Sequence, residues 1–535
     1  MKSESGKYYV NIGKASDLKN PRERKIYRAF EIIPGTLVWI TLFGMVFFSW
    51  LRPVWVAYFI IAFCVYWLLR TFHFAVHLVA AYRQMQKNLK TDWIKELNAL
   101  PGNWEDIYHL IIFPMYKEDL KVVRESFRAL LRVRYPKERM IVVLATEERG
   151  GERTREVGEA ILQEFGDKFF RLLVTCHPKD IVGEIAGKGS NETWAGKQAK
   201  KEVIDPSNIP YKNIVVSCFD ADAQVYPQYF SCLAYYYLTS PHPTRASYQP
   251  IPLYLNNFWE SPFFSRVVSS SNIFWQMMQQ QREEKIVTYS SHSMSFQALA
   301  EMNFWQTNVV SEDAGIFWKS FLFYDGDYRI VPLHYPLSMD SCAADSFWKT
   351  VISQYRQQRR WAWGSEGIPY LLFGCYKNWQ EYRLGKRAGK TLGFPRLANK
   401  RISFKKAFRY IFLLIEGFWA WATNALLILC LGWLPLILGG QDFKATVLAY
   451  NLPQITRDLM TVALFGLIIC IIISTLLLTP RPKKYGKWKS ASMIFQWLCF
   501  PLTIIVFGSI PAIESQTKLM LGKRLGFWVT PKARR

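Results

Sequence analysis

The sequence is poor in acidic residues and in paired cysteines, and both shortages narrow the class of protein. Asp and Glu number 42 against 67 Lys and Arg, which gives a net charge of +25. This excess favours anionic partners, either lipid headgroups or substrate phosphates, whereas no other feature supports nucleic acid. The nine cysteines show no Cys-x-x-Cys pair and no zinc-like spacing, so we expect free thiols in a reducing compartment.

The N-terminus also lacks the pattern of a cleavable signal peptide. About thirty mostly polar and basic residues precede the first apolar run, and no small-residue cleavage site follows it. We therefore expect this run to remain as a membrane anchor. Half of all residues are hydrophobic, which fits a strongly basic chain when apolar residues gather in spans and basic residues line their cytosolic ends.

Five stretches lack charge over a length close to the roughly 20 residues that a bilayer crossing requires. They cover residues 32–50, 53–69, 417–440, 459–480 and 490–513. Basic residues flank them in a way that predicts a multi-pass protein, at the plasma membrane, with a cytosolic N-terminus and a cytosolic middle region. A single crossing by the last stretch would leave the basic tail outside. Pro501 and Pro511 interrupt that stretch, which favours a re-entrant hairpin or an interfacial helix.

These features predict five regions. They are a cytosolic basic N-terminus (1–30), two transmembrane helices (31–82), a cytosolic domain with interface helices (91–400), C-terminal transmembrane helices (401–513) and a cytosolic tail (514–535). The spans contain almost no ionisable residues, whereas a transporter usually places such residues within its spans. A transporter or a catalytically inactive membrane scaffold is therefore a remote alternative to an enzyme.

The region 91–400 contains short, continuous apolar runs that are typical of strands buried on both faces of a parallel sheet. The runs are 110–113, 140–144, 172–175 and 214–218. Helical patterns such as 119–133 and 153–165 lie between several of them. The alternation predicts a doubly wound α/β domain, inserted between N-terminal and C-terminal transmembrane helices. Ligands of such domains bind beyond the carboxyl ends of the strands.

Carboxylates follow three of the predicted strands. Glu118 comes soon after the first strand and Glu147 ends the second, where each can bind a nucleoside or cap the next helix. Asp220 and Asp222 follow the strand at 214–218. Two carboxylates separated by one residue can share Mg²⁺ or Mn²⁺, which take oxygen ligands, although a solvated loop gives the same pattern.

Three further patterns carry candidate site residues. Lys197 follows a glycine upstream of the third acidic motif and either reaches a diphosphate or remains in solvent. Glu312 and Asp313 precede an apolar helix at 314–321, where they either cap the helix or supply a general base. The stretch 354–364 combines three arginines with glutamines and tryptophans, which suits a sugar-diphosphate site, an amphipathic helix at the membrane surface, or both.

The order of these motifs resembles glycosyltransferase family 2, the membrane-embedded inverting branch that includes cellulose and hyaluronan synthases. The resemblance covers about residues 106–363 and the flanking spans. Its elements are Pro114-x-Tyr116-x-Glu118, Asp220-Ala221-Asp222, Ser311-Glu312-Asp313 in place of Thr-Glu-Asp, and Gln357-x-x-Arg360-Trp361. The tail, Phe527-Trp528-Val529-Thr530-Pro531-Lys532, resembles the Phe-x-Val-Thr-x-Lys gating loop of cellulose synthases.

The resemblance implies a GT-A-like fold and a role for each matched residue. Asp222 would bind Mg²⁺ or Mn²⁺. Asp220 would contact both this metal and the nucleotide of a UDP-sugar. Asp313, next to Glu312, would be the catalytic base. The other substrate-binding residues implied are Glu118, Glu147, Gln357, Arg360, Trp361, Thr530 and Lys532. Lys197 is a substrate-binding candidate from its position alone.

The implied activity is inverting transfer from a nucleotide-sugar to a glycan acceptor, with processive polysaccharide synthesis as the expectation. Single-sugar transfer to a lipid-linked acceptor is the alternative. Two departures from the family bear on this choice. The gating-loop sequence stands at the extreme C-terminus without further spans, and Asn303-Phe304-Trp305 replaces the family's usual paired glycines. Membrane lipids are the other expected partners.

Overall fold

The computed structural model describes residues 7–387, 400–526 and 528–531. Its β-strands are β1 Tyr108–Pro114, β2 Met140–Glu147, β3 Arg171–His177, β4 Ile214–Cys218, β5 Gln224–Val225, β6 Ala246–Leu253, β7 His292–Ser295 and β8 Arg329–Ser338. Its α-helices are α1 Pro21–Leu51, α2 Pro53–Lys90, α3 Trp93–Asn98, α4 Leu120–Leu131, α5 Glu152–Phe165, α6 Lys188–Ala199, α7 Tyr229–Thr239, α8 Phe263–Gln280, α9 Phe296–Glu301, α10 Glu312–Phe323, α11 Phe347–Ala362, α12 Gly367–Arg387, α13 Phe404–Leu429, α14 Leu434–Leu438, α15 Gly440–Lys444, α16 Val447–Leu477, α17 Lys487–Phe495, α18 Phe500–Ile504 and α19 Ile510–Met520.

Five helical segments of the described chain are long and apolar enough to cross a membrane. Four of them are α1, α2, α13 and α16, and the fifth runs through α17, α18 and α19 from Lys487 to Met520. Each overlaps one predicted stretch, so the prediction of a membrane-associated protein is confirmed. The observed helices are longer than the uncharged stretches, because they also include flanking polar and charged residues. Helix α2, for example, extends to Lys90.

The fifth segment is bent and lies against the α/β domain. A 3₁₀ turn and a π-turn interrupt it between its three α-helical parts. Trp497 stacks on Phe274 of α8 with ring centroids 5.9 Å apart, and Phe507 stacks on Phe264 of the same helix at 5.1 Å. The segment therefore packs along the domain in addition to contacting the other long helices.

The eight strands form one mixed sheet in the order β3-β2-β1-β4-β7-β6-β8-β5. Strands β3, β2, β1 and β4 are parallel, and β7 is antiparallel to both β4 and β6. Strand β8 runs parallel to β6, with β5 antiparallel at the edge. Because β7 is reversed, β6 and β8 regain the direction of β1 and β4. The carboxyl ends of six strands and the start of β7 therefore meet at one edge of the sheet.

Helices cover both faces of this sheet, as the continuous apolar runs predict. In β1 the side chains of Ile111 and Phe113 join a core with α4, α5, α7 and α8, whereas Leu110 and Ile112 join a core with α6, α9 and α10. All four side chains are fully buried. Successive residues of a strand point to opposite faces, so burial on both faces requires a run without alternation. The predicted α/β domain between N-terminal and C-terminal membrane helices is confirmed.

The second half of the sheet was not predicted from the sequence. The four predicted strands are β1 to β4, each extended by one or more residues except the last. Strand β6 contains Pro250 and Pro252, which cannot donate to a sheet ladder. Strand β7 reads His-Ser-Met-Ser, yet all four residues are buried and Ser293 hydrogen-bonds Ser217 of β4 at 2.7 Å. Hydrophobic patterning does not detect strands of this kind. The nine cysteines are free thiols, as expected.

Candidate active site

One cleft at the shared strand edge collects residues from four separate sequence motifs and from the C-terminal tail. Strand direction explains this convergence, because Tyr116 follows β1, Glu147 ends β2 and Asp220 follows β4, all at the same edge of the sheet. The cleft is lined by Pro114, Met115, Tyr116, Glu118, Glu147, Lys188, Asp220, Ala221, Asp222, Tyr254, Ser290, Glu312, Asp313, Met339, Asp340, Gln357, Arg360, Trp361, Val529 and Thr530.

The end of the cleft nearest β1 and β2 combines carboxylates with an aromatic face. The Glu118 carboxylate accepts hydrogen bonds from the backbone N–H groups of Tyr116 (2.8 Å) and Lys117 (3.1 Å). Glu118 therefore stabilises the turn that follows β1 and also lines the cleft. Glu147 is buried at the end of β2 and pairs with Arg149, whose guanidinium lies 4.3 Å from the ring centroid of Tyr116. This arrangement offers acceptors and a stacking surface to a planar ligand.

The acidic pair after β4 occupies the centre of the cleft. Asp220 accepts hydrogen bonds from the Lys188 Nζ at 2.8 Å and from the Ser290 Oγ at 3.0 Å. Asp222 is fully buried, and its carboxylate accepts from the backbone N–H of Asp340 at 2.7 Å. Asp340 follows β8 and also lines the cleft. Two unrelated strands thus bring three carboxyl groups to one place.

These residues fit a hard divalent cation whose remaining coordination positions are filled by the substrate. Within the described residues, no three His, Cys, Asp or Glu side chains form a ready-made metal cage. Mg²⁺ rarely uses such a cage, since it is usually held by one or two carboxylates together with substrate phosphates and water. The carboxylate oxygens of Asp220 and Asp222 are the ligand type that Mg²⁺ and Mn²⁺ prefer, and like charges this close favour a neutralising cation.

Lys188, at the first residue of α6, is the principal cation among the acids of the cleft. Its Nζ lies 2.8 Å from Asp220 and 3.6 Å from Glu192. Burial alone would lower the pKa of Lys188, but the carboxylates of Asp220 and Glu192 raise it well above its ordinary value. Burial raises the pKa of Glu192 to about 7, against the opposing charge of Lys188. Lys188 therefore remains charged and faces the position that an anionic ligand would occupy.

The adjacent acids Glu312 and Asp313 begin α10 and also line the cleft. Asp313 accepts hydrogen bonds from the backbone N–H groups of Ser290 at 2.9 Å and Ala314 at 2.8 Å. Glu312 is buried, and burial, followed by the charge of Asp313, raises its pKa well above the ordinary value. These acids therefore stand at a helix N-terminus and also face the cleft, a position that suits either of the two roles considered from the sequence.

Helix α11 presents one side to the cleft and another to the C-terminal segment. Gln357, Arg360 and Trp361 line the cleft, and the Trp361 ring lies 5.7 Å from that of Tyr289. On another side of the helix, Arg359 pairs with Glu514 of α19 at 2.7 Å. Helix α11 therefore both lines the cleft and contacts the C-terminal segment.

The C-terminal tail reaches into the cleft. Val529 and Thr530 line it, and the Arg356 guanidinium lies 5.8 Å from the ring centroid of Trp528. Thr530 is 7% exposed, and its hydroxyl has no hydrogen-bond partner within the described parts of the chain. A buried, unpaired hydroxyl in a cleft suits contact with a polar ligand. Lys532 lies outside the described residues.

The structure does not bring Lys197 to the cleft. Its side chain is exposed, with Nζ 6.0 Å from the ring centroid of Phe304. Lys188 and Lys197 each follow a glycine, but they stand nine positions apart, which turns an α-helix by about 180° beyond two full turns. The two lysines therefore face opposite sides of α6. Tyr254, Ser290 and Asp340 were likewise not identified from the sequence, although each stands within two positions of the end or start of a strand.

The residues that replace paired glycines adopt the backbone conformation that glycine favours. Asn303 has φ of 56° and Phe304 has φ of 62°, in the left-handed region that other residues rarely enter. The buried Lys319 donates a 2.7 Å hydrogen bond to the Phe304 carbonyl oxygen. Burial and the charge of Lys197 lower the pKa of Lys319 to about 7. Two successive non-glycine residues thus form a bend here, with the buried Lys319 bonded to its backbone.

Comparisons with known proteins identify one family. The model of the glycosyl transferase family group 2 matches residues 215–505. The mannosyltransferase PcManGT from Pyrobaculum calidifontis, solved in complex with GDP-Man and Mn²⁺, is 14% identical, with 87% of this chain and 100% of that chain covered and a TM-score of 0.41. S. aureus TarS 1–349 is 10% identical, covering 69% of this chain and 91% of that one with a TM-score of 0.35. Its complex with UDP-GlcNAc matches over the same shares at 11% identity and a TM-score of 0.32. No curated sequence matches the chain.

Proposed function

Because this chain belongs to the glycosyl transferase family group 2 and is a nucleotide-sugar-dependent glycosyltransferase, we propose that it catalyses inverting transfer from a UDP-sugar to a glycan hydroxyl, repeatedly, to build a polysaccharide. The family match and the observed sheet confirm the predicted GT-A-like α/β fold. The observation that carries the proposal is the convergence of Asp220, Asp222, Asp313 and Arg360 in one cleft.

The donor would lie along the cleft from the β1–β2 end towards α11. Glu118 and Glu147 would bind the nucleoside beside the face of Tyr116. Lys188 and Arg360 would contact the diphosphate, since both cations line the cleft and guanidinium groups match phosphate oxygens. Asp222 and Asp220 would hold Mg²⁺ or Mn²⁺, which when bound would offset charge on the diphosphate.

Asp313 is proposed as the general base. Two backbone N–H groups donate to its carboxylate and hold it in place at the cleft. As the acceptor oxygen bonds to the anomeric carbon, its proton passes to Asp313 and the bond from that carbon to the diphosphate breaks. Attack from the face opposite the diphosphate inverts the anomeric centre. Trp361, near Tyr289, offers an aromatic surface on which the acceptor sugar would stack, with Gln357 beside it.

We propose that the protein lies in the plasma membrane with its active site and its tail on the cytosolic side. The contacts of the fifth helical segment support placing the two on the same side. The Lys487–Met520 segment packs against α8 near its start. Near its end, Arg28 of α1 donates to the Leu519 carbonyl oxygen at 3.0 Å. Arg28 belongs to the basic segment that the positive-inside rule assigns to the cytosol. If this segment lies along the membrane interface, both of its ends stay beside the catalytic domain, and the tail can enter the cleft with Thr530.

Single-sugar transfer to a lipid-linked acceptor is a second candidate. Helix α11, which carries the cleft residues Arg360 and Trp361, exposes Phe347 (48%), Trp348 (73%) and Ile352 (53%) at its other end. Exposed aromatic and aliphatic residues on an amphipathic helix favour insertion into the lipid headgroup region. An acceptor carried by a lipid would then reach the cleft along the membrane surface.

Nucleotide release by the purified, detergent-solubilised chain tests the proposal. A panel of UDP-sugars and GDP-mannose, each with Mn²⁺ or Mg²⁺, should give metal-dependent release with one UDP-sugar, and sizing of the product separates polymer from a single addition. Asp313→Asn should reduce transfer by about 10² to 10⁴-fold with little change in the dissociation constant of UDP. Near-normal transfer by Asp313→Asn would remove the base assignment, and retention of donor stereochemistry in the product would remove the inverting mechanism.

A further inference from the structure

The segment that precedes the proposed base is held from outside the cleft. Residues 307–311 connect the bend at Phe304 to the start of α10. The Thr307 carbonyl oxygen accepts from the Ile185 N–H at 2.7 Å. Asn308 donates to the carbonyl oxygen of Asn11 at 3.0 Å, in the N-terminal segment. Because Asp313 follows this segment by two residues, its placement depends on these anchors.

Glu366 makes the closest polar contacts to this segment. One oxygen of its carboxylate accepts from the backbone N–H groups of Val310 at 3.1 Å and Ser311 at 3.0 Å. The other oxygen accepts from Trp363 Nε1 at 2.8 Å. Glu366 is 6% exposed and is not among the residues that line the cleft. Its contacts are with the backbone that carries Asp313, and it has no access to substrate.

The counter-charge of Glu366 comes from the C-terminal tail. Arg524 lies 3.6 Å from the Glu366 carboxylate, and it also donates to the Gly13 carbonyl oxygen at 3.0 Å and to Glu31 at 3.3 Å. The next residue, Leu525, packs against the apolar cluster that contains Val310. Arg524 stands six residues before Thr530, so the contact with Glu366 forms where the tail turns towards the cleft.

We propose that Glu366 is a positioning residue which, through its pairing with Arg524, couples the seating of the C-terminal tail to the placement of the Asp313 base. The inference rests on the proposed function. When the tail is seated, Arg524 neutralises Glu366, and the carboxylate holds the Val310 and Ser311 amides in the position that aims Asp313 at the acceptor. When the tail leaves this position, Glu366 becomes a buried carboxylate without this partner, and its hydrogen bonds hold residues 310–311 less firmly. Burial raises the pKa of Glu366, whereas the charge of Arg524 opposes that rise. Arg524 thus favours the charged form of the carboxylate, as this coupling requires.

Steady-state kinetics of four variants test the coupling in the full-length, solubilised chain. Glu366→Gln removes the charge but keeps an acceptor for the two amides, and Arg524→Gln removes the partner from a partly exposed site. Their double variant measures the coupling. Lys518→Gln is the matched control, because Lys518 lies on the same C-terminal segment but pairs with Glu514. Transfer rate and donor KM are measured at saturating metal, and thermal unfolding reports on folding.

The expected result is a fall in kcat of about 10-fold to 100-fold for each single variant, since a small misplacement of a catalytic group has effects of this size. Donor KM should change less than 2-fold or so, the double variant should be no worse than the worse single one, and Lys518→Gln should match the wild type. Unchanged kcat in Arg524→Gln, a rise in KM alone, or additive losses in the double variant would each overturn the inference. Asp313→Asn in the same assay separates this failure from failure of the proposed function, because only the latter leaves Asp313→Asn active.

Discussion

Replacing Lys188 tests the electrostatics of the cleft most directly. Lys188→Met removes the cation that lies 2.8 Å from Asp220 and 3.6 Å from Glu192 while keeping the length of the side chain. The two carboxylates then lose their shared partner inside a partly closed site, and a bound diphosphate loses one counter-charge. We therefore expect weaker donor binding and a less stable catalytic domain.

The magnitude follows from the burial of the pair. Removing one partner of a buried ion pair costs about 3–5 kcal/mol. The Lys188 side chain is 10% exposed and that of Asp220 is 28% exposed, so solvent screens the pair and the lower figure of about 3 kcal/mol applies. This loss applies to the free energy of unfolding. Loss of one hydrogen bond to the charged diphosphate costs about 1.5–3 kcal/mol, and at 1.36 kcal/mol for each factor of ten this corresponds to a loss of about 10-fold to 100-fold in kcat/KM.

The assay is release of the nucleotide by purified enzyme at fixed Mn²⁺, combined with the midpoint of thermal unfolding. Lys188→Arg keeps the charge and should recover part of the activity. Lys197→Met is the matched control, because Lys197 also follows a glycine in α6 but is exposed on the opposite side of the helix. A larger loss in Lys197→Met than in Lys188→Met would refute the assignment and would place the diphosphate elsewhere.

Three further predictions concern the metal, acid stability and the bend before the base. Asp222→Asn, or EDTA added to the wild type, should reduce transfer by at least about 100-fold, and unchanged transfer in EDTA would exclude a metal-dependent step. Burial lowers the pKa of His109 to about 3, below its value of about 6.5 in the unfolded chain. The associated stability is full above pH 6.5 and declines as the pH falls towards 3, by about 2 kcal/mol at pH 5. His109→Phe should therefore show a smaller difference in unfolding temperature between pH 7.5 and pH 5, and an equal difference would contradict the prediction. Asn303→Ala should destabilise the domain by about 1–2 kcal/mol, because alanine tolerates the left-handed conformation poorly, and a thermal unfolding midpoint equal to that of the wild type would speak against strain there.

Local patterns in the sequence were sufficient for part of the fold. Strands β1, β2 and β4 were predicted because they are buried on both faces and therefore read as continuous apolar runs. The edge strand β3 is only partly buried, but it also contains a short apolar run. The acids Asp220 and Asp222 were found because they directly follow such a run. The reversed strand β7 was missed, since buried serines that bond to each other across strands, such as Ser217 and Ser293, leave no hydrophobic signature.

The candidate site was predicted in part for the same reason. Glu118, Asp220, Asp313 and Arg360 stand in ordered motifs that resemble a known family, and all four line the cleft. The choice between the two lysines of α6 was beyond sequence reasoning, because both follow a glycine and only the docked orientation of the helix separates them.

The sequence by itself determined which stretches are apolar enough to cross a membrane and which carboxylates follow buried strands, because both properties depend on residues that are neighbours in the chain. Only the tertiary structure decided which groups share the cleft. Ser290 reaches Asp220 because the reversed strand β7 begins near this edge of the sheet, and Asp340 reaches Asp222 because β8 ends there. Lys188 reaches Asp220 from the first residue of α6. Likewise Arg524 meets Glu366 across more than 150 residues of sequence, since long-range packing sets such contacts and no local pattern encodes them.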